Sequence, residues 1–141
     1  MTINLGAGVA SVRAAAKFCA TTSIKLVGVS YLTSMSTAAV QQVNNNHQAL
    51  ADNFTHLVRC GLMWGVNHFV CAGAEASLVK KIQPLAHTFC PGVTTLRNDQ
   101  VRTTDAVHTA MIDYLIVGRQ ITTDVNPARV YHKITRDGKL N

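Results

Sequence analysis

Five short apolar runs divide the chain, and each is followed by a segment with helical periodicity. The runs are residues 2–7, 24–32, 67–72, 87–92 and 113–118. They are apolar throughout rather than alternating, which is typical of strands buried on both faces of a parallel sheet. The helix candidates are residues 9–20, 47–60, 74–82, 103–110 and 126–134. Repeated strand–helix units of this kind predict an α/β fold with parallel strands.

Capping residues and low-complexity sequence refine this pattern. Asn126 followed by Pro127 predicts a helix start, because Asn caps the free backbone N–H groups and Pro suits the first helical position. The polar stretch "QQVNNNHQ" (41–48) is interpreted as a loop or a helix start. Five strand–helix units fit either part of an open sheet or part of a (β/α)₈ TIM barrel, which typically needs about 250 residues. No linker divides the 141 residues, so we expect a single domain over 1–141.

Composition and charge narrow the classes of partner. No apolar run reaches the roughly 18 residues of a membrane span, and no signal peptide is recognisable, so a cytoplasmic protein is expected. The net charge of +6 suits an anionic partner. The basic residues are dispersed, with Lys80 and Lys81 as the only adjacent pair. As the anionic partner, a phosphorylated small molecule is therefore favoured over nucleic acid, and a nucleic-acid-binding module is the less favoured prediction.

The cysteines and histidines do not form metal-ligand motifs. The four cysteines have no C-x-x-C spacing and are predicted to be reduced, intracellular thiols. The six histidines are scattered, so no metal site is predicted. His68 and His87 begin apolar runs at the end of the sheet away from a ligand and are interpreted as structural. Glu75 is the only glutamate, and its predicted role is at a helix start rather than in acid catalysis.

Candidate ligand-binding residues follow the apolar runs, because βα folds bind ligands at the carboxyl ends of their strands. The last two runs lead to Gly92, Gln100, Gly118 and Arg119. Glycine lets the backbone approach an oxyanion, and Arg adds a bidentate charged donor. From spacing alone, phosphate binding and an ordinary surface arginine remain equally open. After the second run, Thr33 can bind a sugar or base, or it can cap a turn.

Several motifs resemble those of bacterial orotidine 5′-monophosphate decarboxylase. They are "VSYLTSM" (29–35), "VCAGAEA" (70–76), "CPGV" (90–93), "NDQVRTTDAV" (98–107) and "DYLIVGRQITTDVNPA" (113–128). The resemblance covers about residues 2–134 and corresponds to the family's fourth strand onward. It implies the carboxyl-terminal part of a (β/α)₈ barrel that makes UMP in pyrimidine biosynthesis and needs no cofactor.

The resemblance also implies roles for four residues. Thr33 resembles the family's nucleotide-contacting threonine, and Gln100 resembles the glutamine of its phosphate-gripping loop. Gly118 and Arg119 resemble the backbone and side-chain ligands of the phosphate. The implied partners are orotidine monophosphate or UMP, and either a second copy in a homodimer or the missing half of the barrel.

Two departures from the family pattern bear on activity. The family's catalytic motif D-x-K-x-x-D belongs to an earlier strand and does not occur in this sequence. Asp137 and Lys139 match part of it by letter, but they lie beyond the last predicted helix and are rejected. Thr94 replaces an arginine of the phosphate loop, and Arg97 is a candidate to compensate.

We therefore expect a phosphate-binding half without catalytic residues, a truncated form that is inactive alone. The alternative within the same fold is a non-catalytic, nucleotide-phosphate-binding partial barrel.

Overall fold

A computed structural model describes residues 1–31, 35–45, 47–92 and 111–137 of the chain. Five parallel strands form its one described sheet. They are β1 (Thr2–Asn4), β2 (Val27–Val29), β3 (His68–Val70), β4 (His87–Pro91) and β5 (Tyr114–Ile116). Each strand lies within one of the five apolar runs, so the predicted parallel α/β fold is confirmed.

Within the described residues, helices follow β1, β2, β3 and β5. Those described are α1 (Val9–Ala20), α2 (Thr37–Asn44), α3 (Leu50–Met63), α4 (Ala76–Ile82), α5 (Arg119–Thr122) and α6 (Pro127–Asp137). Short 3₁₀ turns occupy Leu5–Ala7 and Gly73–Glu75. Four predicted helices are confirmed with small changes in their bounds, and the predicted helix 103–110 lies outside the described residues. Within the described ranges, no helix is both long and apolar enough to cross a membrane.

Capping chemistry accounts for where two of these helices begin. Asn126 Oδ1 accepts a hydrogen bond from Arg129 N at 3.0 Å, which confirms the predicted cap of α6. The sequence did not predict a complete helix at α2. It predicted a loop or a helix start for 41–48, which includes the last residues of α2. Ser36 Oγ caps it by accepting from Ala39 N at 3.2 Å, and the fully buried Val40 anchors it. The cap at Ser36 and the burial of Val40 stabilise α2, although its carboxyl-terminal half is mainly polar.

The strands pair in sequence order, β1-β2-β3-β4-β5. One row of paired residues crosses the whole sheet through Asn4, Val29, Val70, Phe89 and Tyr114. Because all the strands are parallel, all their carboxyl ends lie at the same edge. This edge is where βα folds place their ligands.

The sheet is covered by helices on one face only within the described residues. Phe69, Thr88 and Cys90 point to the helix-covered face and are at most 1% exposed. Their neighbours along the strands point the other way, and Tyr114 and Ile116 are 49% and 45% exposed. The expectation that both faces are buried is therefore met on one face alone. The described helices pack on that face, so most strand residues that point the other way stay partly open, with the buried Val27 as an exception.

Close packing around Leu5 joins the first strand–helix unit to the centre of the sheet. Leu5 and Phe69 are each 1% exposed and belong to the same core. A Cβ at Gly61 would lie 2.9 Å from Phe69 Cε1 and 3.2 Å from Leu5 Cδ2. A Cβ at Gly28 would lie 2.9 Å from Leu5 Cδ2. The side chains of the core fill the space that these two glycines leave.

A polar cluster around Asp113 fixes β5 beside β4. Asp113 Oδ2 accepts from Thr88 N at 2.7 Å and lies 2.8 Å from Lys80 Nζ. Thr88 Oγ1 in turn accepts from Asp113 N at 3.1 Å. Lys80 Nζ also donates to Ala86 O at 2.7 Å. The cluster therefore connects α4, β4 and the residue before β5 through charge-assisted hydrogen bonds.

The cluster shifts the acidity of Asp113. Partial burial by itself would raise the pKa of the Asp113 carboxyl, but hydrogen bonds from Lys80 and Thr88 outweigh burial and hold the pKa below its usual value. A carboxyl with a lowered pKa in the folded state stabilises the fold above its unfolded pKa of about 3.9. That contribution is lost as the pH falls through the lower, folded-state pKa.

We predict that Asp113→Asn lowers the free energy of unfolding by about 1–3 kcal/mol at pH 7, because charged hydrogen bonds to Thr88 and Lys80 are lost. Urea unfolding followed by circular dichroism at pH 7 and below pH 4 measures this cost. The difference from the unmodified chain should shrink at the lower pH, where Asp113 itself becomes protonated. Asp52→Asn, an exposed change of the same charge, is the control. A difference for Asp113→Asn that does not depend on pH would contradict this account.

A second prediction concerns the packing of α3 on β3. Gly61→Ala should destabilise the fold by about 1–3 kcal/mol through overpacking against Phe69, despite the better helix propensity of Ala. The cost should be smaller in a Phe69→Leu background, since that change removes the ring atom nearest the added methyl group. Thermal or urea unfolding of the two single variants and the double variant gives the coupling. Stabilisation by Gly61→Ala alone would show that the site has spare room.

Candidate functional site

The carboxyl ends of the strands lead into five short segments along one edge of the sheet. Asn4 ends β1, and Ser30 follows β2 directly. Cys71 follows β3, Gly92 follows β4, and Gly118 comes two residues after β5. Parallel pairing alone brings these positions to a common edge, although they lie far apart in the sequence.

Two of these segments hold the predicted phosphate-binding glycines. Pro91 of β4 pairs with Ile116 of β5, so Gly92 and Gly118 leave neighbouring strands at almost the same level. Gly92 has a φ of +73°, a conformation that favours glycine. Among the atoms of the described residues, none lies within 4 Å of a Cβ built at either glycine. The backbone at both positions is therefore open to an approaching anion.

Arg119 begins the short helix α5 immediately after Gly118, and its side chain is exposed. The Arg119 carbonyl accepts from Thr123 N at 3.0 Å and from Thr123 Oγ1 at 2.6 Å, which fixes this turn. In the described part of the chain, the two ion pairs join Lys80 to Asp113 and Arg129 to Asp124. The guanidinium of Arg119 is in neither of these two pairs.

A cavity of about 650 Å³ opens at the same edge, beside β1 and β2. Its wall combines polar groups with apolar side chains from the edge of the sheet and from α2 and α3. The lining residues are Asn4, Gly6, Ala7, Val29, Ser30, Tyr31, Met35, Val43 and Leu57. Its size and mixed wall are typical of small-molecule sites.

The polar lining of this cavity was missed by the sequence analysis. Asn4 Oδ1 accepts from Gly6 N at 2.7 Å and so shapes the turn into α1. Ser30 is 8% exposed, and Tyr31 adjoins it at the end of β2. Ser30 and Tyr31 directly follow the three residues of β2, and this place at the end of an apolar stretch is visible in the sequence. The apolar run was predicted to extend to residue 32, so the candidate residue after it was Thr33.

Glu75 caps a turn rather than facing a ligand. Its Oε2 accepts from Ala72 N at 2.9 Å, within the 3₁₀ turn that follows β3. Burial raises the pKa of the Glu75 carboxyl, although the hydrogen bond from Ala72 N acts in the opposite direction. The predicted position at a helix start is confirmed, since α4 begins at the next residue.

Cysteines and histidines lie where a structural role was predicted. All four cysteines are free and buried. The sulphurs of Cys71 and Cys90 are 3.6 Å apart, and their mutual hydrogen bond together with burial raises the pKa of Cys71. His68 and His87 open β3 and β4 at the opposite edge of the sheet. Among the described residues, no group of three or more potential metal ligands occurs.

Part of the predicted site falls outside the described residues. Thr33 and Gln100 are among them, as are Thr94, Arg97 and Lys139. The structure therefore places Gly118 and Arg119 at the carboxyl edge beside Gly92. The assignments of Thr33 and Gln100 stay predictions, as do the ligand-binding roles of all four residues.

Comparison with known proteins agrees with this geometry. The model of the orotidine 5′-phosphate decarboxylase / HUMPS family matches residues 1–134. The chain is 30% identical over 114 residues to an orotidine 5′-phosphate decarboxylase of Lawsonia intracellularis, covering 77% of this chain and 48% of that protein. It is also 30% identical over 116 residues to the Streptococcus pneumoniae enzyme, covering 78% of this chain and 50% of that protein.

Solved structures show the same fold. The Lactobacillus acidophilus orotidine 5′-phosphate decarboxylase superposes with a TM-score of 0.81 at 20% identity, covering 98% of this chain and 62% of that one. The Methanocaldococcus jannaschii enzyme, complexed with the inhibitor BMP, superposes with a TM-score of 0.67 at 20% identity, covering 96% of this chain and 59% of that one. These neighbours are TIM barrels, so the predicted partial (β/α)₈ barrel is confirmed.

The lengths of the aligned proteins set the scope of the match. The chain spans about half the length of the curated relatives it matches. The family model covers β1 to β5 and extends to residue 134, within α6. The chain belongs to the orotidine 5′-phosphate decarboxylase / HUMPS family.

Proposed function

We propose that this chain provides the phosphate-binding part of an orotidine 5′-phosphate decarboxylase and binds orotidine monophosphate and UMP. The observation that carries the proposal is Gly118 followed by Arg119, exposed at the carboxyl end of the last strand, in a member of this family. Phosphate sites of TIM barrels commonly use the loops after the last two strands. Here those loops begin at Gly92 and Gly118.

The chemistry of these groups suits a phosphate monoester. Open glycine backbone at Gly92 and Gly118 lets N–H groups approach the phosphate oxygens. The planar guanidinium of Arg119 can donate two parallel hydrogen bonds to the same dianion. Gln100 is the proposed neutral donor from the intervening loop, and Thr33 the proposed contact to the nucleoside. The net charge of +6 favours the approach of an anionic ligand.

The cavity beside β1 and β2 is the proposed site for the base and ribose. Asn4, Ser30 and Tyr31 supply hydrogen-bonding groups, and Val29 and Leu57 supply apolar surface. This mixture suits a flat, polar heterocycle attached to a sugar. The Methanocaldococcus jannaschii relative was solved with the inhibitor BMP, which supports a small-molecule site in this fold.

Decarboxylation itself is proposed only for a complete barrel. Loss of CO₂ from orotidine monophosphate leaves a carbanion that must be protonated, and the resemblance assigns that proton to the lysine of D-x-K-x-x-D. Residues 1–141 do not contain this motif. The part of the barrel that this chain forms would bind the phosphate. The phosphate is remote from the reacting carbon, and its binding energy would contribute to the reaction. No cofactor is proposed, in keeping with the resemblance.

Other proposals about the protein follow from its family. Pyrimidine biosynthesis and the four free cysteines support a cytoplasmic location. Self-association as a homodimer, which the resemblance implies, stays a prediction that sedimentation can measure. The family match favours a decarboxylase part over a non-catalytic nucleotide-binding module and over a nucleic-acid-binding module.

We predict that Arg119→Ala weakens UMP binding roughly ten- to hundredfold, because a charge-assisted contact of about 1.5–3 kcal/mol is lost. Isothermal titration with UMP and with uridine measures the effect. The variant should bind uridine as the unmodified chain does, so the preference for the phosphorylated ligand should largely disappear.

Arg129→Ala is the matched control, since it removes the same charge from the exposed face of α6. It should leave the affinity for UMP unchanged. Equal affinity of UMP for the Arg119→Ala variant and the unmodified chain would exclude the proposed phosphate role.

A further inference from the structure

Strand pairing brings together two histidines that lie far apart in the sequence. His68 is the first residue of β3 and His87 the first of β4, and the two are paired across these adjacent parallel strands. The Cα atoms of residues paired in this way are about 5 Å apart. The two imidazole rings stack, with centroids 4.9 Å apart and an angle of 20° between their planes. The six histidines are scattered along the chain, and only the sheet makes neighbours of these two.

The ring nitrogens of this pair are not engaged by the rest of the described protein. Within the described residues, no hydrogen bond involves a ring nitrogen of His68 or His87. Both side chains are partly exposed. A histidine with a purely structural role is commonly held by a hydrogen bond at one of its two nitrogens. Among the described residues, nothing therefore competes with an external ligand for these nitrogens.

Two imidazoles side by side suit a single transition-metal ion. Imidazole nitrogen binds Zn²⁺ at about 2.0–2.1 Å, which places two ligating nitrogens about 3 Å apart around a tetrahedral ion. The torsion about the Cβ–Cγ bond of histidine is broad, so a rotation of each ring converts the stacked pair into this convergent arrangement. Imidazole also suits Ni²⁺ and Cu²⁺, whereas Mg²⁺ prefers oxygen ligands.

The surroundings of the pair shield it in part from water. The rings of Phe89 and Tyr114 lie 6.2 and 6.1 Å from those of the two histidines and form an apolar flank. An apolar shell of this kind limits the access of solvent to a metal site. Lys25 and Asp113 act on His68 with opposite charge, so a carboxylate offsets part of the repulsion that a lysine exerts on a cation. All four cysteines are buried, which shields their thiols as competing ligands.

We propose that His68 and His87 together bind one divalent transition-metal ion, such as Zn²⁺ or Ni²⁺, through their imidazole nitrogens. The ion would join β3 to β4 at the edge of the sheet opposite Gly118 and Arg119, so the site is separate from the proposed phosphate site. Water would complete the coordination of the ion. The pair is thus a chelating site with two protein ligands, and the described residues contain no group of three or more.

Titration of the full 141-residue chain with Ni²⁺, without a polyhistidine tag, tests the proposal. Isothermal titration should show one Ni²⁺ bound per chain and no binding of Mg²⁺. His68→Ala and His87→Ala should each weaken Ni²⁺ binding roughly tenfold or more, because only one ligand of a chelating pair remains. Equal affinity of the unmodified chain and these variants would overturn the proposal, as would the absence of Ni²⁺ and Zn²⁺ binding to the unmodified chain.

His56→Ala and His132→Ala are the matched controls. His56 Nε2 lies 3.6 Å from Cys60 Sγ, so these two residues form a rival pair of ligands on α3. His132 is an exposed histidine of α6. Both controls should leave the affinity for Ni²⁺ unchanged. Loss of binding in His56→Ala, together with normal binding in His68→Ala, would place the ion on α3 and refute the proposed site.

A ring without nitrogen separates loss of the ligand from loss of the fold. His68→Phe keeps a stacked ring beside His87, so its circular dichroism spectrum should match that of the unmodified chain while Ni²⁺ binding is weakened. Electron paramagnetic resonance with Cu²⁺ should show coupling to two imidazole nitrogens in the unmodified chain and to one in His68→Phe. The same coupling in both chains would contradict the assignment. Arg119→Ala should leave metal binding unchanged, so a failure of the phosphate site is distinguishable from a failure of this site.

Discussion

Parallel pairing of the strands is the constraint on which the rest of the structure depends. Every strand points the same way, so the chain must cross back over the sheet after each one. The described helices make the crossings from β1 to β2, from β2 to β3 and from β3 to β4. The described helices pack on one face, which gives the fold a single-sided core around Leu5 and Phe69. The same constraint gathers the ends of all five strands at one edge. The candidate site is a consequence of this direction, since it joins segments that lie far apart in the sequence, at Asn4, Ser30, Gly92 and Gly118.

A hydrogen-bonded cluster precedes the last strand. β5 has only three residues, and two of them are largely exposed. The carboxylate of Asp113, directly before the strand, accepts from the backbone N–H of Thr88 in β4. The strand pairing beside this bond continues to Pro91 and Ile116. The hydrogen-bonded cluster therefore lies at one end of the strand, and Gly118 and Arg119 follow its other end.

The sequence predicted the order and type of the elements because buried parallel strands and amphipathic helices leave strong periodic signals. It also predicted the cap at Asn126, since that chemistry is local. It did not predict α2, whose polar sequence becomes helical through the Ser36 cap and the burial of Val40. It could not distinguish one covered face from two, because an apolar run looks the same in both cases. Asn4 and Ser30 were missed because the ends of strands shift by a few residues from the ends of apolar runs.

The order of the strands in the sheet also bears on how the protein is synthesised. Each strand pairs with the one before it in the chain, so the sheet can grow one unit at a time as the polypeptide leaves the ribosome. Such growth needs few distant contacts at any step. The strand that leads to Gly118 and Arg119 joins last. By then Lys80 and Thr88, which bind Asp113 directly before this strand, are already part of the folded units. A nascent chain would thus hold a folded scaffold before it could bind any phosphate.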